Sequence, residues 1–115
     1  MSIRRISPGP RMSRAVVHDN TIYLAGHVHP DISVGVKGQT RAILERIEQV
    51  LAEANSDKSR ILSVQIWLAD ISTFNEMNEV YDAWVDKANP PTRATVEAKL
   101  AAPDYLVEIA AIAAR

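Results

Sequence analysis

Two charged side chains stand out by where they fall. Arg93 follows Pro90-Pro91 and opens the run PPTRATVEAKL, which alternates strictly. Arg93, Thr95, Glu97 and Lys99 take one side, and Ala94, Val96, Ala98 and Leu100 the other. A guanidinium is a planar fork of donors that matches a carboxylate, and two prolines restrict the backbone that carries it. Arg93 therefore reads either as a carboxylate anchor or as a solvated charge at a strand end. Glu108 lies in YLVEIAAIAA, a run otherwise apolar. A lone carboxylate in such a strand must be hydrogen-bonded, paired or chemically employed. The chemistry it suits is general-base catalysis. The structural alternative is an ion pair with Lys99 or Arg93.

Other chemistry finds less support. His27 and His29 share a strand parity but have no convincing third ligand, so they read as loop or edge histidines rather than a metal site. Ser13, Ser63 and Ser72 sit in no nucleophile-elbow sequence. Gly26, Gly35 and Gly38 do not form a phosphate-cradling loop. Phe74, Met77, Tyr81 and Trp84 recur at helical spacing and read as core.

The elements that must position these residues follow from periodicity. Arg14 to His18 and Thr21 to Ala25 are β-rich runs joined by Asp19-Asn20, a pair that tolerates two-residue hairpin turns. From about Val36 to Ala54 the apolar spacing is helical, and Asn55-Ser56-Asp57 stops that helix. In Ile61 to Ala69, Leu62, Val64, Ile66 and Leu68 form an apolar face and Ile61, Ser63, Gln65 and Trp67 a mixed one. Thr73 and Glu76 have capping-box spacing and open a second helix, which Asn89-Pro90-Pro91 ends. Thr92 to Leu100 and Tyr105 to Ala113 are the last two strands. The order ββαβαββ predicts an α+β domain, residues 1–115, with a mixed sheet and both helices on one face. The open face is expected to carry Gln65, Trp67, Arg93, Thr95 and Glu108, solvated or covered by a partner subunit. A tight turn at Ala102-Pro103 would set Glu97 opposite Glu108 and leave Arg93 roughly 13 Å from Glu108. A shared pocket would then need a neighbouring subunit or a different register.

Composition bounds the rest. A chain of 115 residues is one domain, able to bury about 65% of its unfolded surface. It has no cysteine, which removes disulfides, thiolate nucleophiles and cysteine-based zinc sites and fits a reducing compartment. The N-terminal segment has no apolar run behind its arginines and does not read as a signal peptide. No run approaches the length of a membrane span. The formal charge of −1 combines 13 basic and 14 acidic side chains without a basic stripe, which argues against nucleic acid as a partner.

PPTRATVEAKLAAPDYLVEIAAIAA resembles the C-terminal signature of the RidA (YjgF) family of reactive-intermediate deaminases, through Pro91, Arg93, Val96, Leu100, Val107, Glu108 and Ile109. Upstream, Asp70, Phe74, Asn78 and Tyr81 match the family's strand-then-helix segment, and Gly9-Pro10 and Leu24-Ala25-Gly26-His27 match two weaker signatures. The resemblance implies a fold similar to trimeric chorismate mutase, a cytoplasmic homotrimer, and pockets between subunits. It implies hydrolysis of 2-imino or 2-enamino acids to 2-oxo acids and ammonia with no cofactor. By position, Arg93 would bind the substrate carboxylate and Glu108 would activate water. Gly26 would offer backbone contacts, and Asn78 would line or order the site. The rival expectation is a trimer whose cleft binds a carboxylate metabolite without turnover. An older label for the family is a translation-inhibiting endoribonuclease. Three positions depart from the family pattern: Arg11 replaces a tyrosine, Thr95 a cysteine, and Ala25-Gly26-His27 the usual Ser-Gly-Gln. Arg11, as a second cation, would suit a more acidic ligand, and Thr95 would share the substrate-binding face with Arg93.

Overall fold

The computed structural model describes residues 2–115. Its strands are β1 (Ile3–Ile6), β2 (Ala15–His18), β3 (Thr21–Leu24), β4 (Ile61–Leu68), β5 (Thr92–Glu97) and β6 (Val107–Ala114), and its α-helices are α1 (Gly35–Glu53) and α2 (Phe74–Trp84). They form one six-stranded sheet in the order β1-β2-β3-β6-β4-β5. Only β4 and β5 run parallel, joined through α2 as a parallel pair requires. The domain is α+β, as the periodicity predicts, with one strand more than expected. The additional strand, β1, pairs with β2 and buries Ile6. Its sequence, IRRI, shows no alternation to announce it.

One face of the sheet carries the core. Val64, Ile66 and Leu68 of β4 and Val107, Ile109 and Ala111 of β6 are buried there, as are Ile43, Leu44, Ile47 and Leu51 of α1 and Met77 and Tyr81 of α2. The Asp19-Asn20 hairpin forms, with Asp19 at φ 54°. α1 ends at Glu53, and Asn55, at φ 62°, turns the chain.

Four local expectations are corrected. A register shift between Ile61 and Ser63 turns Ile61 inward and leaves Leu62 exposed, because a bulge re-aims the residues before it. Thr73 makes no capping bond. Instead the Asp70 side chain accepts from the Ser72 N–H, and the Thr73 hydroxyl donates to the Asp70 carbonyl, so the turn before α2 starts three residues earlier. β5 stops at Glu97 and β6 starts at Val107. They do not form a hairpin, because β4 lies between them.

That last correction changes the site. Trp67 of β4 is level with Glu108 on β6 and with Val96 on β5, while Val64 is level with Arg93. Register partners share a face, so Arg93 and Thr95 point with buried Val64 and Ile66 toward the helices. Glu108 points with Gln65 and Trp67 to the open face. Ala94 and Val96, which the alternation assigned to a core, are exposed on that open face beside Trp67. Val96, Tyr23 and Ile112 are large apolar side chains that the chain leaves uncovered there.

Candidate functional site

Arg93 leaves β5 at the sheet edge and crosses to α2. Its Nη1 donates to Asn78 Oδ1 at 2.6 Å. Its guanidinium carbon lies 4.7 Å from the Tyr81 ring centroid and 5.6 Å from that of Phe74, within the range of cation–π attraction. Phe74, Asn78 and Tyr81 are spaced i, i+4, i+7, which brings them to one helix face. Burial raises the Tyr81 phenol above its ordinary value, and the Arg93 charge opposes that rise. No carboxylate of the described residues lies within ion-pair distance of Arg93. The helical stripe read as core thus has two uses. Met77 and Tyr81 are buried, and the rings of Tyr81 and Phe74 also flank the arginine.

Thr95 shares Arg93's face of β5. Its Oγ1 is buried and has no hydrogen-bond partner among the described residues, which is costly for a hydroxyl.

Glu108 stands on the other face, against Gly26. The chain after β3 bends so that the His27 N–H donates to the Ile109 carbonyl and the Ile109 N–H to the His27 carbonyl. This bridge lays the Glu108 side chain over Gly26, where a Cβ would collide with the carboxylate. Among the described residues the carboxylate has no hydrogen bond or ion pair, so the expected pairing with Lys99 or Arg93 does not form. Because the colliding atoms are the free end of a flexible side chain, Gly26→Ala should displace the carboxylate rather than the backbone. We expect a melting temperature within a few degrees of wild type and any Glu108-dependent rate about tenfold lower or worse. Unchanged turnover in this variant would show that the close approach has no function.

The structure therefore brings Arg93 to Asn78 and Glu108 to Gly26, but it does not bring the two pairs together. Two strand spacings and three residues of offset separate Arg93 and Glu108 by roughly 14 Å on opposite faces. Arg11 is exposed on the loop between β1 and β2.

His27 is not the loop or edge histidine expected from sequence. It is buried, and its Nδ1 is 2.8 Å from the Ala25 carbonyl. That carbonyl needs a donor, so the proton sits on Nδ1 and Nε2 is a bare acceptor, buried without a partner among the described residues. Burial lowers its pKa below the ordinary 6.5. The Ala25 bond opposes the shift, and Arg14 and Arg46 add to it. Because the folded-state pKa is depressed, the unfolded chain takes up this proton first. His27's contribution to stability is complete above about pH 6.5 and is lost as pH falls below it. Melting temperatures taken from pH 7.5 to 5.5 should fall, and less steeply in His27→Gln. Equal slopes would assign the loss to other groups. Among the described residues, no three His, Asp, Glu or Cys side chains are grouped to hold a metal ion.

Comparison with known proteins places this geometry. The family model described as Endoribonuclease L-PSP matches residues 2–115. The chain is 45% identical to a RutC family protein of Haemophilus influenzae, over 98% of each chain. It is 42% identical to the RutC family protein YoaB of Escherichia coli, over 99% of each. The crystal structure of NMB1025, a YjgF protein family member from Neisseria meningitidis, superposes with a TM-score of 0.96 at 41% identity. That match covers 100% of this chain and 96% of the other. Rv2704 of Mycobacterium tuberculosis, from the YjgF/YER057c/UK114 family, gives 0.85 at 33% identity, covering 99% and 100%. Each match spans nearly the whole chain, and the chain belongs to the RidA (YjgF) family, also described as the L-PSP endoribonuclease family.

Proposed function

We propose that the chain is a hydrolytic deaminase of small 2-imino and 2-enamino acids, working in a cleft between subunits of a homotrimer. The observation that carries this reading is the Arg93 guanidinium, held against two rings and an amide with no carboxylate among the described residues within ion-pair distance. A cation fixed in that way favours an anionic ligand, and its fork fits a carboxylate.

The carboxylate-bearing substrate needs no activation beyond orientation, because an imine carbon is already electrophilic. Arg93 holds the C1 carboxylate, with Asn78 fixing the guanidinium and the Thr95 hydroxyl on the same face. Glu108, without a hydrogen bond or ion pair among the described residues, accepts a proton from water as the water oxygen bonds to C2 and the C=N π pair moves onto the protonated imine nitrogen. Glu108 returns its proton to the carbinolamine nitrogen, the C–N bond breaks as the C=O bond forms, and the hydroxyl proton leaves with the ammonia as ammonium. The balance is imino acid plus water to 2-oxo acid plus ammonia, with no change in oxidation state. An enamine enters after tautomerising to the imine. The uncovered Val96, Tyr23 and Ile112, beside half-buried Trp67, support assembly through the open face. Assembly would let Arg93 of one chain meet Glu108 of the next.

The test is 2-oxo acid release from freshly generated 2-iminopropanoate. Acceleration over buffer by the assembled protein is expected. Its absence, with 2-oxo acid binding retained, would favour a non-catalytic carboxylate-binding trimer. RNA cleavage, which the family description names, would call for a basic stripe that the chain's distribution of charge does not provide.

A further inference from the structure

Arg93 is held by three groups, none of which carries charge. Tyr81 and Phe74 offer ring faces, and Asn78 offers an amide oxygen. All three come from one face of α2. Two of the nearby acids are engaged elsewhere, and Asp82, beside Tyr81, lies beyond ion-pair distance of Arg93. Glu79, next to Asn78 in sequence, pairs with Lys37 at 2.6 Å. Glu97, at the end of β5, accepts from the Ile71 N–H at 3.0 Å. We infer that α2 forms a neutral cradle around Arg93, and that Asn78 both aims the guanidinium and leaves its charge available to an anionic ligand.

The amide chemistry explains the residue type. Arg93 has five N–H donors and needs acceptors that keep its plane fixed. An Asn oxygen supplies one acceptor at a single guanidinium nitrogen and leaves the other donors uncommitted. An aspartate at the same place would make the same bond and a stronger ion pair, with no change in length. It would also compete directly with the ligand's carboxylate for one cation. A structural arginine would be served at least as well by aspartate as by asparagine. An arginine that must bind an anion would not.

This rests on the carboxylate-anchor reading above, and the experiment separates the two. Pyruvate is the binding probe, titrated into the assembled wild type, Asn78→Asp and Asn78→Ala. Turnover of 2-iminopropanoate and thermal melting are measured alongside. Asn78→Asp should melt at or above the wild-type temperature yet bind pyruvate about tenfold more weakly or worse, with KM rising by a similar factor. Asn78→Ala, which loses the aim but adds no charge, should melt lower and bind more tightly than the aspartate variant. A purely structural asparagine gives the opposite order, with alanine the more damaging on every readout. That order would overturn the inference, as would aspartate binding equal to wild type or a wild type that does not bind pyruvate. Weaker binding in Asn78→Asp, without turnover by the wild type, would leave the cradle standing and remove the deaminase reading. Turnover by the wild type with unchanged kinetics in Asn78→Asp would do the reverse.

Discussion

Arg93→Ala should lower kcat/KM for 2-iminopropanoate by about 10²–10³-fold. The side chain offers a carboxylate two charge-assisted hydrogen bonds, each contributing about 1.5–3 kcal/mol, and the lower half of their sum, about 3–4 kcal/mol at a solvent-accessible edge, corresponds to that factor. The loss should appear in binding as well as in turnover, because the contact exists before the chemistry begins. The fold should survive. Arg93 is half-buried at the sheet edge, and its ring contacts are worth about 0.5–2 kcal/mol. A drop of a few degrees in melting temperature is therefore expected. Steady-state kinetics and pyruvate titration on the same preparation decide the matter. Wild-type affinity in the alanine variant would make Arg93 a surface charge and remove the foundation of the functional reading.

Glu108→Gln should have a different signature. Glutamine keeps the shape of the side chain but cannot take a proton from water, so kcat should fall by about 10²–10⁴-fold while pyruvate affinity stays near wild type. The substitution also adds N–H donors beside the backbone at Gly26, where the carboxylate now has no partner among the described residues. Stability should change little, since no hydrogen bond or ion pair of Glu108 is lost. Equal loss of binding would recast Glu108 as part of the ligand's seat. An unchanged kcat would remove it from the chemistry and leave the non-catalytic trimer as the better account.

Both residues were visible in the sequence because each breaks a local pattern. Arg93 opens an alternating strand after two prolines, and Glu108 interrupts an apolar run. α1 was legible for a related reason, since Ile43, Leu44, Ile47, Val50 and Leu51 repeat at helical spacing and all are buried. The face that Arg93 occupies was not legible. Alternation divides β5 into two sides without naming the inner one, and the apolar side was the natural candidate for the core. Ala94 and Val96 instead face out, a choice that depends on β5 pairing in parallel with β4. Strands adjacent in sequence usually pair as neighbours, and that default suggested a hairpin between β5 and β6. The Gly26–Glu108 contact depends on the β3–β6 pairing, between strands more than 80 positions apart, and no local signal reports it. β1 was hidden because its ladder with β2, rather than any periodicity of its own, makes it a strand. Of the residues around Arg93, Asn78 was marked only by family resemblance, and Phe74 and Tyr81 were also marked by helical spacing, as core. Their joint contact with the guanidinium required the helix to be set over the sheet edge.

The separation of Arg93 and Glu108 onto opposite faces has a consequence for how activity relates to the gene product. Under the proposed function, a folded but solitary chain owns every catalytic part and can use none of them on one small molecule. Competence then belongs to the assembly and appears only when chains are abundant enough to meet. It also means that two differently disabled chains, one lacking Arg93 and the other lacking Glu108, can supply each other's missing half. Inheritance of such defects would then follow the rules of complementation rather than those of simple loss.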